Sequence, residues 1–312
     1  MDSVISRRDL LRAAAISGVL GAAVVLAGCG GDKPSQNATE GSPLTSAHAE
    51  FMPEAAWAQD FSHMPNGPVD PKVWKFDLDP NIPGYNNELQ GYTNSQRNVR
   101  IENGLLVIEA HREAYSYPGD SQNRKFDYTS GRITTLGSLE IEYGKVEVTM
   151  KLPKGSGTWP AFWFLSAQSP FSSKLPQPTD DAGWETFYTH DGELDVVEAF
   201  GNRPGVIEST VHTFNAGAPD KDITVADASD TFHTYGLDIT PTQLIWTIDS
   251  RPYFIYNKPS DKTDDWPIGK GNKFYAILNL AMGGLGGPVD PKANSWRLEV
   301  KDIKYTPLAA HQ

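Results

Sequence analysis

The 312-residue sequence has a single cysteine, Cys29, so no intramolecular disulfide can form and a cysteine-based zinc site is excluded. Basic residues are few: 27 Lys and Arg stand against 39 Asp and Glu, a formal charge of −12. That balance argues against gripping nucleic acid or an anionic membrane through a basic face, and it suits a neutral substrate. Past residue 51 there is no long segment of 3.6-residue period, no strand–helix alternation and no internal repeat. Helical bundles and parallel α/β sheets are thereby set aside. Also missing are a Gly-x-Ser-x-Gly elbow, a His-Glu-x-x-His helix, a Walker loop and a dinucleotide glycine pattern.

What remains is a chain with 39% hydrophobic residues, enough for a sizeable core, and 11% aromatics including 8 Trp and 12 Tyr. With 28 Gly and 23 Pro breaking it often, the composition favours an all-β fold with stacking surfaces.

The N-terminus carries Ser6-Arg7-Arg8-Asp9-Leu10-Leu11 and then an apolar run from Ala13 to Ala27. This run is too short and too weakly hydrophobic for a membrane span, and it reads as an export signal. The paired arginines resemble a twin-arginine signal, and Leu26-Ala27-Gly28-Cys29 resembles a bacterial lipobox, in which cleavage precedes a cysteine that receives lipid. An ordinary signal peptide that happens to contain Cys is the alternative. A lone thiol is otherwise awkward in an exported protein. Residues 29–50, rich in Gly, Ser, Pro, Asn, Thr and Ala, form a flexible linker. The expected organisation is an export signal over 1–28, this tether, and one folded domain over 51–308. The protein is expected at the cell envelope on a lipid anchor, its only membrane contact, and otherwise secreted. It is expected to be monomeric.

Short runs of alternating polarity fill the folded part. The clearest is Gly144-Lys145-Val146-Glu147-Val148-Thr149-Met150-Lys151; others lie at 104–110, 207–214, 233–239, 243–249, 273–281 and 297–305. They predict two antiparallel sheets packed as a sandwich or jelly roll.

The chemistry concentrates in Asp191-Gly192-Glu193-Leu194-Asp195-Val196-Val197-Glu198-Ala199-Phe200. Carboxylates interleaved with apolar residues are costly unless they face a wet cleft. Glu193 and Asp195 share a face by the period of two, whereas Glu198 has the wrong parity in a regular strand. One extra residue, a β-bulge near Val196-Val197, restores it. Two carboxyl groups flanking a bond are the working parts of glycoside hydrolysis, with retention of configuration at about 5–5.5 Å separation. A solvated acidic edge strand and a cation site are the competing explanations.

Glu-x-Asp-x-x-Glu resembles the catalytic motif of glycoside hydrolase family 16, in the bulged form of laminarinase-like β-1,3-glucanases. The resemblance continues in order through Asn86-Asn87-Glu88-Leu89-Gln90-Gly91-Tyr92-Thr93, Ser130-Gly131-Arg132-Ile133 and Gly157-Thr158-Trp159-Pro160-Ala161-Phe162-Trp163. It extends to Phe232-His233-Thr234-Tyr235 and Ile277-Leu278-Asn279-Leu280-Ala281-Met282-Gly283-Gly284, covering most of residues 55–306. It implies a concanavalin-like β-jelly roll with a sugar cleft on its concave face. Glu193 is then the nucleophile, Glu198 the general acid/base, and Asp195 the group between them; neighbouring carboxylates resist joint ionisation, which separates the two roles.

The resemblance also places Arg132, Asn87, Trp159 and Trp163 in the cleft, although buried Trp is commonly core. His212, on the next strand, is placed to hydrogen-bond near Glu198 or to be a satisfied buried histidine. Trp184 and Trp266 are candidate rim contacts. Asp60, Asp302 and the Gly104 carbonyl resemble a structural calcium site, or Asp60 and Asp302 are ordinary surface aspartates; no cofactor is implied for catalysis. The stretch 166–190 is longer than the family's usual connection and lacks its Trp-Pro-x-x-Gly-Glu lead-in, which bears on substrate choice. The expected activity is retaining endo-hydrolysis of β-1,3-glucan. Another β-glucan or galactan as substrate, transglycosylation, and a lectin-like module with a dead cleft are the rivals.

Overall fold

The alternating segment at 144–151 forms the strand Gly144–Lys151, with Val146, Val148 and Met150 turned inward and the polar residues between them half-exposed. The same logic builds the other strands of the computed structural model, which describes residues 50–78, 86–168, 192–213, 219–260, 266–269 and 271–309. No α-helix occurs among the described residues.

The chain is an all-β, two-sheet jelly roll. A ten-stranded sheet runs in the order Arg251–Asn257, Gln243–Ile248, His233–Ile239, Gly144–Lys151, Ser295–Thr306, Leu105–Tyr115, Phe126–Ser130 and Gln90–Tyr92. Trp57–Asp60 pairs with Ser295–Thr306, and Val99–Glu102 with Leu105–Tyr115. The eight-stranded sheet runs Asp220–Thr224, Val206–His212, Glu193–Ala199, Thr158–Ser166, Phe274–Met282, Arg132–Thr134 and Lys75–Phe76, with Glu140–Ile141 against Phe274–Met282. One tight hairpin turns at Asp249-Ser250, both at positive φ (49° and 63°), the twist that a two-residue turn between strands requires.

The core lies between the sheets, with Phe162, Phe164, Leu194, Val197 and Leu278 on one side and Leu106, Val148, Leu237, Trp246 and Leu298 on the other. Thr158–Ser166 and Phe274–Met282 are buried at all nine positions each. Their near-continuous apolar sequence suits strands covered on both faces. Their second face carries separate apolar clusters, Ala161, Trp163, Leu165, Tyr275 and Ile277 in one and Trp159, Phe200 and Ala281 in the other. That outward face is the floor on which the carboxylates stand.

Candidate active site

Glu193–Ala199 sits centrally, between Thr158–Ser166 and Val206–His212. Glu193 pairs with His212 and Asp195 with Thr210, but Glu198 pairs with Glu208. Three steps on one strand thus match two on the other. Against Thr158–Ser166 the slip falls between Phe162 and Trp163, which pair with Val197 and Asp195. Val196 is skipped on both sides. This is the bulge expected from the sequence, and it corrects the parity of Glu198.

Glu193, Asp195 and Glu198 are all buried, at 9%, 3% and 7% exposure. Buried carboxylates need specific polar neighbours. The Trp159 indole Nε1 donates to Glu198 Oε1 at 2.8 Å. His212 Nε2 lies 2.8 Å from Asp195 Oδ2 and 3.9 Å from Glu193 Oε1. His212 therefore serves Asp195 and Glu193 rather than Glu198, because the register sets it directly opposite Glu193. Ligand atoms of Glu193, Asp195 and His212 all fall within 4.8 Å of one another, a set able to hold a cation.

Trp159 and Trp163 share the outward face, as their spacing on a strand predicts, and both are deeply seated, at 5% and 7% exposure. Trp163 Nε1 donates to Asn279 Oδ1 at 2.8 Å, and the Arg132 guanidinium covers its ring at 4.9 Å from the centroid. One face of Trp163 is thus taken by a cation. Arg132 is itself buried, with Nε donating to Asp77 Oδ2 at 2.9 Å. Burial works against its charge, but Asp77, Tyr92, Tyr275 and Glu88 outweigh that and raise its pKa.

Sequence reasoning quoted Glu88, Tyr92 and Asn279 inside motifs without assigning them to the site, and it missed Asp77. Asn279 Nδ2 donates to the Tyr92 hydroxyl at 3.2 Å, and that hydroxyl lies 3.2 Å from Glu88 Oε2 as its donor. Glu88 also accepts from Gln90 Nε2 at 2.6 Å and Asn86 Nδ2 at 3.4 Å. Burial pushes the Glu88 carboxyl up, against the pull of these donors and of Arg132. A polar chain thus runs from Glu88 through Tyr92 and Asn279 to Trp163. Asn87 itself is exposed at a turn with φ 58°, and Glu88 beside it bridges to Gly283.

Asp60 and Asp302 face each other in register, and Gly104 lies against Ser62, whose backbone N–H donates to Asp60 Oδ1 at 2.9 Å. Carboxylate and carbonyl oxygens suit calcium in kind. Lys304 Nζ already stands 3.3 Å from Asp302 Oδ1, so one positive charge is present there without a metal. Trp266 departs from its expected place at the rim. It is 2% exposed, packs against Tyr256 within the core cluster and donates to the Pro241 carbonyl at 3.1 Å. Trp184 and Cys29 lie outside the described residues, as does all of 166–190 beyond Gln168.

The sequence profile described as Glycosyl hydrolases family 16 matches residues 86–281. A glucan endo-1,3-beta-glucosidase of Cryptopygus antarcticus is 35% identical over 284 residues, spanning 84% of this chain and 95% of that protein. A beta-glucanase of Rhodothermus marinus is 32% identical over 267 residues, 80% of this chain and 84% of its own. Among solved structures, the catalytic domain of an endo-1,3-beta-glucanase (laminarinase) from Thermotoga petrophila RKU-1 superposes with a TM-score of 0.69 at 30% identity. It is covered completely, against 84% of this chain.

Proposed function

The chain belongs to glycosyl hydrolases family 16, and from that premise we propose that it is a retaining endo-glycosidase acting on β-1,3-linked glucan. That it is a glycoside hydrolase follows from the family; linkage and stereochemistry are our reading. One observation carries the mechanism: the bulge that sets Glu193, Asp195 and Glu198 on one buried face, with Trp159 bonded to Glu198.

In this reading a Glu193 oxygen attacks the anomeric carbon while the bond to the leaving sugar breaks. Glu198 delivers its proton to the departing oxygen. Glu198 then takes a proton from water, whose oxygen displaces Glu193 and restores the enzyme. Asp195, in contact with His212, holds negative charge between the two glutamates and keeps their roles unequal. The Trp163, Arg132 and Asn279 surface offers an apolar plane and polar groups suited to a sugar ring. The relatives' endo-1,3 activity supports the linkage.

Early-time NMR of products from laminarin tests the reading. A retained first-formed anomer is expected, with Glu193→Ala forming no glycosyl-enzyme by mass spectrometry. An inverted anomer would remove Glu193 as nucleophile. A parallel panel of lichenan, agarose and xyloglucan checks the polymer. If one of these is cleaved faster than laminarin, the linkage assignment is wrong.

Two further proposals concern other parts of the chain. A lipid on Cys29 tethers the exported domain through the 29–50 linker. A calcium ion held by Asp60, Asp302 and the Gly104 carbonyl stiffens the fold and takes no part in the reaction.

A further inference from the structure

A bulge leaves its extra residue without a ladder partner, so a regular strand always competes with it. Here that competition matters: removing the extra residue's offset would turn Glu198 toward the core and away from Glu193. The backbone at this point is held by side chains from inside the sandwich. The Asp195 carbonyl accepts from Trp246 Nε1 at 2.8 Å, and the Val196 carbonyl accepts from Ser209 Oγ at 2.7 Å.

Both donors are well anchored. Trp246 stands on Gln243–Ile248 of the opposite sheet, fully buried and stacked on Phe254 with centroids 4.6 Å apart and planes at 23°. Ser209 is fully buried on Val206–His212, where the register skips it between the partners of Asp195 and Glu198. Its hydroxyl also meets the Tyr253 hydroxyl, from Arg251–Asn257 at the edge of the opposite sheet. Serine has one hydroxyl hydrogen and gives it to Val196, so Tyr253 must donate to Ser209. Burial pushes the Tyr253 phenol up to about 12, which keeps that proton in place at working pH.

We infer that Trp246, Ser209 and Tyr253 are positioning residues that lock the bulge and so fix the side from which Glu198 meets the scissile bond. The inference rests on the catalytic roles proposed above for Glu193 and Glu198. It ties the active site to the opposite sheet: Trp246 crosses the core to the Asp195 carbonyl, and Tyr253 crosses it to Ser209, which reaches the Val196 carbonyl from the neighbouring strand.

The test compares Ser209→Ala, Ser209→Thr, Tyr253→Phe and Trp246→Phe on two substrates, laminarin and a dinitrophenyl β-laminaribioside whose leaving group needs no proton. Misplacing Glu198 should lower kcat on laminarin roughly ten- to hundredfold in Ser209→Ala, with KM little changed. On the aryl substrate kcat/KM, which reports the first step alone, should fall far less than on laminarin, and Ser209→Thr, which keeps the hydroxyl, should recover most of the loss. Tyr253→Phe removes one oxygen only and decides the matter if the other variants fail to fold. Equal losses of kcat/KM on both substrates, in step with the unfolded fraction, would overturn the inference, as would unchanged kinetics. A wild-type enzyme giving no retained product would instead sink the catalytic reading. Retention in the wild type with indifferent variants would sink the clamp alone.

Discussion

The Trp159 indole and Glu198 are joined by a 2.8 Å hydrogen bond although 39 residues separate them. Trp159 stands on the strand adjoining the carboxylate strand, packed at 5.8 Å against Phe200 just beyond it. Its N–H aims one carboxyl oxygen of the proposed general acid, and its ring walls the cleft.

Those two duties separate in Trp159→Phe, which keeps an aromatic plane and deletes the donor. A hydrogen bond to an ionisable group contributes about 1.5–3 kcal/mol. Steady-state kinetics on laminarin should therefore show kcat reduced roughly ten- to hundredfold with a smaller change in KM. A raised KM at constant kcat would make Trp159 a binding plane alone.

Asp238 gives a pH prediction away from the cleft. Burial raises its carboxyl to about 6, outweighing the opposing pull of Lys145, whose Nζ stands 3.6 Å away. A raised carboxylate means the folded state holds the proton more tightly than the unfolded one. Stability should thus fall as pH climbs from about 4 to about 6 and stay lowered above that. Asp238→Asn should gain about 1–3 kcal/mol at pH 7.5 and almost nothing near pH 4. Urea unfolding at the two pH values checks this; a gain that does not depend on pH would contradict it.

The strands and the carboxylate trio were legible because alternation and its single break are local. Val146, Val148 and Met150 declare a face by themselves, and Glu193, Asp195 and Glu198 declare a bulge by their parity. The partners were not legible. Asn279 meets Tyr92 across 187 residues, and Trp246 reaches Asp195 from another sheet, relations set by register and sheet packing. His212 read as a neighbour of Glu198 or as a satisfied buried histidine for the same reason: register alone sets it opposite Glu193 and against Asp195, four positions along its strand from the partner of Glu198. Trp266 in a Pro- and Asp-rich stretch read as rim, yet its ring is large enough to be drawn under Tyr256.

The anchor proposal predicts that the mature wild type sediments with membranes and that Cys29→Ser moves the activity to the soluble fraction. Lipoprotein-type acylation supplies more than one chain, which is what stable anchoring requires. Mass spectrometry of the mature N-terminus should find the modified cysteine first. A soluble wild type cleaved at another residue would refute the proposal.

Calcium at Asp60 and Asp302 should raise Tm progressively with its free concentration, and a chelator should reverse the gain. Asp302→Asn should abolish the difference while leaving kcat on laminarin unchanged, because the site lies on the other sheet. Identical melting curves with calcium and with chelator would refute the site and leave Asp302 to its contact with Lys304.

The chain from Glu88 to Trp163 gives the last prediction. Gln90, Asn86 and Tyr92 all donate to Glu88, so the position calls for acceptors on both oxygens. In Glu88→Gln the amide oxygen can take the place of Oε2 and keep the two closer bonds, giving up only the 3.4 Å contact with Asn86. Glu88→Ala leaves the Tyr92 hydroxyl proton without its acceptor, so the hydroxyl that accepts from Asn279 is no longer fixed in position beside the Trp163 partner. Losing one neutral hydrogen bond costs about 1 kcal/mol, so KM for laminarin should rise roughly fivefold in the alanine variant and less in the glutamine variant. The turnover number should change little in either, since the chain ends at the wall of the cleft and not on the reacting carboxyls. A fall in kcat matching that of Trp159→Phe would mean that Glu88 acts on the chemistry, and the network would then belong to the proton path.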